Sequence, residues 1–442
     1  MLFLIACADW EVPEVDPVEV PVEGVVVVGA GISGLTTAKA LQNNGVDVVV
    51  LEARDRIGGR TWTTDVGDAR VDVGGAWVHG TRGSVTADVL KELDIDIPHD
   101  DSWSNPVVVR EDGAPISVWD LVEYTDRFWR DCEDLAGPSV SEAVDQWIEA
   151  EGWTGDEAWL ARWAVETENE NDTAGPAELI DLRGLFEWDV LGGGDRVPEG
   201  GYGVLIDYLA EGLDVRLEEP VTAIRWDDEG VEVTSASGSI EASAVVVTVP
   251  LGVLKSGTID FSPGLPEEKL AAIERLDMAN LEKVVLTYDE QWWSGSAIYV
   301  AEGGRFPYCA DFTEHAGAPT LVCLYGGGFA REVQTDSDEE LVAGVRAVLL
   351  EVYGDDPEPA ATHVTHWTTD PFAGGSYSYI AVGATHDDLG ILAEPVDDRV
   401  LFAGEHTVEG QWQSVHGAML SGLREARRLG VEDFGIPGTE GH

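Results

Sequence analysis

The chain has little positive charge. Its 442 residues include 26 lysines and arginines against 84 aspartates and glutamates, which gives a formal net charge of −58 at pH 7. Only five of the basic residues are lysines. A nucleic-acid partner is therefore disfavoured, because phosphate binding needs a basic face that this composition does not supply. Two interpretations of the acidic surface stay open: adaptation to a salty habitat, and steering of a cationic substrate into a negative cleft.

Long hydrophobic runs and C-x-x-C motifs are also missing. No stretch approaches the ~20 apolar residues that a membrane-spanning helix needs. The four cysteines contain no C-x-x-C pair, which argues against a zinc site or a thioredoxin-like motif, so no metal is predicted. Cys309 and Cys323 flank a predicted hairpin; a disulfide between them is the alternative for an exported protein, but we expect free buried thiols.

The first 23 residues differ in composition from the rest of the chain. Leu4 to Cys7 resembles a bacterial lipobox, in which the cysteine is lipidated after the leader is cut, although a secretory leader has ~7–15 apolar residues behind a basic start. Proline-spaced acidic residues from Glu11 to Pro21 predict an extended tether outside the fold. Two localisations stay open: an exported protein with a lipid anchor at Cys7, and a cytoplasmic protein.

One motif organises the sequence. A run of valines from Val25 predicts a buried parallel strand, and Gly29-x-Gly31-x-x-Gly34 follows directly. Missing side chains there allow a tight turn and the close approach of a pyrophosphate to a helix N-terminus. Glu52 ends a second valine-rich strand about 20 residues on, where a carboxylate accepts the hydroxyls of an adenosine ribose. Together these features predict a dinucleotide site.

Two further glycine-bearing loops follow, from Glu52 to Arg60 and from Gly74 to Gly80. A nicotinamide dehydrogenase does not need them, so they favour a larger and more deeply buried cofactor. Strands recur after long insertions, which predicts a cofactor domain assembled from separated segments. The predicted divisions are a leader and tether at 1–23, a cofactor-binding domain at 24–80, 200–260 and 366–430, a substrate domain at 81–199 and 261–365, and a tail at 431–442.

These motifs form a set that resembles the flavin-containing amine oxidase family, within it the polyamine oxidase and lysine-demethylase branch. The most specific matching stretches are Gly29–Leu35, Glu52–Arg60, Gly74–Gly80, Val247–Lys255, Asn280–Leu286, Gly375–Gly383, and Leu401–Thr407 with Val415–Arg424. The resemblance implies an α/β fold. It comprises a Rossmann-type FAD-binding domain built from discontinuous segments and a substrate domain with a mixed β-sheet flanked by helices.

The resemblance also assigns roles around the FAD. Residues expected at the pyrophosphate, ribose, adenine and flavin are Gly29, Gly31, Ser33, Gly34, Glu52, Arg54, Gly59, Arg60, Gly75, Ala76, Trp77, Val221, Trp367, Gly404, Glu405 and Val415. Val221 is expected to hold the adenine through its backbone, and the Val415 N–H to lie near a flavin carbonyl. Covalent members have a cysteine where this chain has Ser376, so we expect non-covalent FAD.

Lys283 is the residue we expect to carry catalysis. It interrupts an otherwise apolar predicted strand, where an ammonium is costly unless it has partners. The family's matching lysine hydrogen-bonds a water beside the flavin. Tyr377 fits the first position of the family's aromatic cage, and Ser414 stands where monoamine oxidases have the second aromatic. His79 falls at the expected pocket mouth.

The expected substrate is a small cationic amine, oxidised with O₂ at a C–N bond to give an imine or aldehyde and hydrogen peroxide. A carboxylate for its distal ammonium is expected from Glu168, Glu170 or Asp172. An L-amino-acid oxidase or monooxygenase of the same fold is an alternative, with Arg110, Arg127 or Arg305 for the substrate carboxylate. A desaturase acting on a lipid and a flavin-binding protein without turnover are further alternatives.

Overall fold

The computed structural model describes residues 11–187 and 189–442, so the lipobox-like Leu4 to Cys7 lies outside the described residues. A five-stranded parallel sheet forms the first layer. Its strands, in spatial order, are Val400–Phe402, Ala244–Val247, Gly24–Val28, Asp47–Leu51 and Asp214–Arg216. Val26 pairs with Val245 on one side and Val49 on the other. The valine-rich central strands are buried because helices and a second sheet cover both faces.

Helices Ile32–Asn43 and Val415–Arg428 pack together on one face of this sheet. On the other face lies a four-stranded sheet with the order Gly238–Ala242, Val231–Ser235, Ala223–Trp226 and Asp260–Ser262. Strand order reverses beside Gly24–Val28, because the next strand along the chain, Asp47–Leu51, pairs on one side and the later strand Ala244–Val247 pairs on the other. Ligands bind at such a switch point, beyond the carboxyl ends of the strands.

A separate six-stranded mixed sheet has the order Ala361–Val364, Glu282–Thr287, Thr320–Tyr325, Tyr308–Asp311, Ala297–Val300 and Val107–Arg110. All its neighbouring strands are antiparallel except the last pair, which is parallel. Every residue of Glu282–Thr287 is buried. The predicted α/β fold with a parallel sheet and a second, mixed sheet is therefore confirmed; the division into domains stays a prediction.

Short elements complete the described chain. The remaining helices are Val85–Glu92, Val118–Asp131, Val140–Glu151, Asp156–Thr173, Gly203–Ala210, Leu251–Ser256, Glu267–Arg275, Thr313–Ala316, Gly327–Glu332, Asp338–Tyr353 and Asp387–Ala393. Two-stranded sheets pair Thr63–Val66 with Ala69–Asp72, Val78–His79 with Asp195–Arg196, and Asp277–Met278 with Ser378–Tyr379. Single 3₁₀ turns occur at Cys132–Asp134, Gly184–Glu187 and Glu405–Thr407. In the described ranges, no helix is both long and apolar enough to span a bilayer.

The expectation of free thiols at Cys309 and Cys323 is wrong. The two residues lie directly opposite each other on paired antiparallel strands, with Cα atoms 3.9 Å apart, and they form a disulfide. The hairpin was predicted, but the register that faces the two sulfurs was not, because register depends on the tertiary pairing of the strands.

The segment before Gly24 is not a free tether over its described part. It is extended, but Val12 is buried in the core beside the helix Val415–Arg428. The Arg427 guanidinium donates to the Val12 and Pro13 carbonyls at 2.5 and 3.3 Å. The final segment also packs inward, since Val431, Phe434 and Ile436 join the same core. The described residues before Gly24 and those after Leu429 therefore both pack against the helix Val415–Arg428.

Candidate active site

A cleft runs along the carboxyl ends of the parallel strands and between the two sheets. It contains about 1450 Å³ of space that no protein atom fills, part of it open to solvent. Predicted residues that line it are Gly29, Gly31, Ser33, Glu52, Arg54, Gly59, Arg60, Gly75, Val221, Tyr377, Gly404, Glu405, Ser414 and Val415. They come from six separate stretches of sequence, at 29–33, 52–60, 75, 221, 377 and 404–415, so most of the predicted site residues converge on one cavity.

The glycine loop has the geometry its spacing predicts. Gly29 has a φ of +107°, which disfavours other residues, and a Cβ at Gly34 would lie 2.1 Å from the Gly29 carbonyl oxygen. A Cβ at Gly31 would meet nothing within 4 Å, so this residue faces open space. The Glu52 carboxylate accepts the Ala30 N–H at 2.7 Å. This contact fixes the carboxylate beside the loop.

An ion pair crosses the middle of the cleft. Arg60 Nη1 lies 2.9 Å from Glu405 Oε1, and the Ser378 hydroxyl donates to Glu405 Oε2 at 2.7 Å. Burial alone would raise the pKa of Glu405, but the charges of Arg60 and His406 and the Ser378 hydrogen bond lower it below its ordinary value. Glu405 is therefore an anion held in place by donors.

Lys283 lies under the loop that ends in Gly75. Its ammonium donates to the carbonyl oxygens of Asp72 and Gly74 at 2.9 and 2.6 Å and lies 5.1 Å from the Trp77 ring centroid. Desolvation by burial lowers the pKa of Lys283 to about 8, partly opposed by the charge of Asp72. Lys283 does not itself line the cavity. Gly75 does line it, and Gly75 directly follows Gly74, whose carbonyl accepts from Lys283. Two of its three protons are used, which leaves one for a further acceptor.

A buried polar pair, Asp100 and His315, fixes the indole of Trp77. Its indole N–H donates to Asp100 Oδ2 at 2.7 Å, and His315 Nε2 lies 3.3 Å from the other carboxylate oxygen. Burial would raise the pKa of Asp100, but hydrogen bonds from His315, Ser102 and Trp77 bring it down to about 2. An ionised acceptor thus orients the ring that faces the Lys283 ammonium.

One end of the cleft is formed by Tyr377 and the turn before the helix Val415–Arg428. The Ser414 hydroxyl caps this helix by accepting the Gly417 N–H at 2.8 Å. The Tyr377 hydroxyl donates to the Asp172 carbonyl at 3.2 Å. Because of this contact, the aromatic ring joins the cleft to the C-terminal end of the helix Asp156–Thr173.

Beyond Tyr377 lies a group of carboxylates. The surrounding protein and the charge of nearby Glu168 raise the pKa of Asp172, although the residue is exposed, and the charge of His79 opposes this rise. His79 Nδ1 lies 3.1 Å from Asp195 Oδ1, and both side chains remain 54% exposed. The protein around it would lower the pKa of His79, but the hydrogen bond and charge of Asp195 raise it. Because His79, Asp195 and Asp172 are all exposed, we infer that they line the wall of an opening to solvent.

Several predicted residues lie apart from the cavity. Glu170 accepts the Ala177 N–H at 2.9 Å and packs against Gly327, and burial raises its pKa to about 7. Gly34, Ala76, Trp77, His79 and Asp172 are also outside the immediate lining. Trp367 is buried, with its indole N–H donating to the Val73 carbonyl at 3.4 Å. Its position beside the Lys283 loop is compatible with packing alone.

Sequence reasoning missed Asp195 and Gln413. Asp195 had no motif, and it reaches His79 only because two short distant strands pair. Gln413 lines the cleft with a φ of +65°, and its Nε2 is buried without a hydrogen-bond partner among the described residues. The only signal in the sequence was its position directly before Ser414.

The lining fits an elongated dinucleotide cofactor. A glycine loop with open space at Gly31 suits a pyrophosphate, and the carboxylate of Glu52 suits ribose hydroxyls. Next to the Arg60–Glu405 pair, Gln413 Nε2 is a buried polar atom with no hydrogen-bond partner among the described residues, and a bound group would satisfy it. The chain's own donors and acceptors therefore match a ligand that runs the length of the cleft.

Comparisons with known proteins agree with this geometry. The model of the family "Flavin containing amine oxidoreductase" matches residues 32–114 and 147–430. Polyamine oxidase 4 of Oryza sativa subsp. japonica is 32% identical over 442 residues, covering 93% of this chain and 90% of that protein. A double mutant of putrescine oxidase, from a redesign of its cofactor binding, superposes with a TM-score of 0.75 at 25% identity and covers 92% of this chain and 98% of its own.

Lysine-specific histone demethylase 1 homolog 3, also of Oryza sativa subsp. japonica, is 34% identical over 440 residues, which is 92% of this chain. The matched region is 54% of that protein, so the chain spans about half the length of this relative.

Proposed function

The chain belongs to the flavin containing amine oxidoreductase family, and we propose that it oxidises a C–N bond of a polyamine-like cationic amine with O₂. It is a flavin-dependent amine oxidoreductase, and its cofactor is FAD. In the proposed reaction the amine loses two electrons and becomes an imine, which water hydrolyses to an aldehyde and a shorter amine. O₂ takes up the two electrons and two protons and leaves as hydrogen peroxide.

When bound, FAD supplies the acceptor for the hydride of the amine's α-carbon and returns the electrons to O₂. The chain's residues position the reactants. Glu52 and the glycine loop would hold the adenosine and pyrophosphate end, and Arg60 with Glu405 the middle. Ser376 offers no thiol for a covalent bond, so we propose that the FAD is non-covalent.

At the reacting end, Lys283 would hold a water or a proton, since its pKa of about 8 lies close to neutral pH. Tyr377 and Ser414 form the wall against which the amine would lie. The α-carbon of the amine loses its hydride only when the amine nitrogen is unprotonated. An apolar aromatic face beside the amine favours this neutral form.

The observation that carries the substrate class is the carboxylate group beyond Tyr377. Asp172 interacts electrostatically with Glu168, Asp195 and His79, and its backbone carbonyl accepts the Tyr377 hydroxyl at the end of the cleft. A di- or polyamine has a second ammonium at a distance from the reacting nitrogen, and ionised carboxylates are its natural partners. A monoamine has no second ammonium for these acids to bind.

The geometry counts against an L-amino-acid substrate. Arg110 pairs with Asp112 and Asp156, Arg127 with Glu151, and Arg305 with Glu111, all outside the cleft. Over the described ranges, the arginines that do line the cleft are Arg54 and Arg60, each already paired with an acid. A substrate carboxylate would therefore meet acids at the opening and would be repelled.

The test is hydrogen peroxide production under air from n-butylamine, putrescine, spermidine, spermine, a methylated-lysine peptide and L-amino acids. We expect the di- and polyamines to have the lowest KM. Asp172→Asn is expected to raise KM for them about tenfold with a smaller change in kcat, since it removes one charge-assisted contact. KM for butylamine should not change.

Glu166→Gln is the matched control, because Glu166 lies on the same helix but pairs with Arg162. It should leave the KM values at wild-type level. KM for polyamines should also rise as the pH falls through the raised pKa of Asp172, because protonation removes the carboxylate charge. Peroxide from L-amino acids alone would contradict the proposal.

A further inference from the structure

Gln413, in the wall of the cleft, has two energetically unfavourable features. Its φ of +65° is in the left-handed region, which non-glycine residues rarely adopt. Its side-chain Nε2 is buried and finds no acceptor in the part of the chain that the structure describes. Each cost is ordinarily avoided in a folded protein, and both together on a ligand cavity indicate a residue placed for binding.

Neighbouring contacts hold Gln413 in this conformation. Its backbone N–H donates to Glu405 Oε2 at 3.1 Å, the same carboxylate that pairs with Arg60. Trp412 before it is buried, and Ser414 after it caps the helix Val415–Arg428. The turn is therefore fixed on both sides, and the side chain between these anchors faces the cleft.

The chemistry of the amide favours one kind of ligand. An N–H donor needs an acceptor, and a protonated amine substrate has none. The neutral amine has a single lone pair, and a hydrogen bond to it would oppose the loss of electrons that the reaction requires. The flavin ring of FAD, in contrast, presents carbonyl oxygens and ring nitrogens along its edge.

We propose that Gln413 is a cofactor-contact residue, whose amide donates a hydrogen bond to an acceptor on the flavin ring of bound FAD. The contact raises FAD affinity. It also raises the reduction potential of the flavin, because a donor stabilises the negative charge that the ring gains on reduction. This inference rests on FAD binding by the family and on no particular amine substrate.

Two variants of Gln413 test the proposal, with the apoprotein titrated with FAD by quenching of flavin fluorescence. Gln413→Gly removes the amide and relieves the left-handed strain. We expect the dissociation constant of FAD to rise about two- to tenfold, while the thermal midpoint of the apoprotein stays equal or rises. A higher FAD dissociation constant together with an equal or higher thermal midpoint would show that a contact was lost while the fold stayed intact.

Gln413→Glu keeps an acceptor of similar size but has no N–H donor when ionised. We expect FAD to bind at least as weakly as in Gln413→Gly and the flavin potential to fall in both variants. If Gln413 instead accepted a hydrogen bond from the amine, Gln413→Glu would bind FAD like the wild type and lower KM for the amine. That result would overturn the inference.

Asp94→Gly is the matched control. Asp94 is exposed, has a φ of +59° and lies outside the cleft. Glycine there should raise the thermal midpoint of apoprotein and holoprotein alike and leave the FAD dissociation constant unchanged. Wild-type FAD affinity in both Gln413 variants would overturn this inference alone. Failure of the wild-type chain to take up FAD would overturn the proposed function as well.

Discussion

Replacement of Lys283 by methionine removes the ammonium that donates to the Asp72 and Gly74 carbonyls and keeps a side chain of similar length. Burial lowers the pKa of Lys283 from 10.5 to about 8, a difference worth about 3 kcal/mol between its two protonation states. At pH 7 roughly nine-tenths of the molecules still carry the charge, so the residue can exchange a proton near neutral pH.

The same pKa predicts a stability effect. The folded-state pKa lies below the unfolded value, so the stability from this group is present above pH 10.5 and is lost as the pH falls through about 8. Lys283→Met should abolish this part of the pH dependence. We also expect flavin reoxidation to slow about 100-fold or more and to lose its dependence on a group with a pKa of about 8.

Stopped-flow absorbance of the flavin measures reduction by spermidine and reoxidation by O₂ separately. Lys269→Met is the matched control, because Lys269 is also buried, has its pKa lowered to about 7 by desolvation, and donates to the Ile391 and Leu392 carbonyls away from the cleft. Its rates should match the wild type. Unchanged rates and an unchanged pH profile in Lys283→Met would refute the role assigned to this lysine.

Three further predictions follow from the packing of the site. Arg60→Met leaves Glu405 buried without its ion-pair partner and should cost about 3–5 kcal/mol of unfolding free energy, measured by urea denaturation, with loss of FAD. Asp100→Asn replaces the anionic acceptor of the Trp77 indole and should lower the apparent pKa of reoxidation while the fold is kept, as fluorescence and circular dichroism would show. Cys309→Ala opens the disulfide and should cost about 3 kcal/mol, measured in the same denaturant.

The local motifs of the site could be predicted from the sequence. The glycine loop, Glu52 and the valine strands are contiguous patterns whose spacing is set by the turn and strand geometry they need. Lys283 was visible because one charge interrupts a run of apolar residues. The strand predicted around Lys283 is present as Glu282–Thr287.

Other features depend on contacts between distant parts of the chain. Asp195 meets His79 through the pairing of two-residue strands, which no local pattern marks. Val12 is buried because Arg427 holds the carbonyl groups next to it, whereas the prolines around it predicted a free tether. The signals at Gln413 are a left-handed backbone and an Nε2 atom without a partner among the described residues, and both are properties of the folded state.

The most direct test of the account is anaerobic titration of the purified protein with spermidine, putrescine and L-amino acids, followed by the absorbance of its flavin. The account predicts a flavin spectrum in the isolated protein and complete bleaching by the di- and polyamines, with restoration on admission of air and release of hydrogen peroxide. Bleaching by L-amino acids but by none of the amines would contradict it.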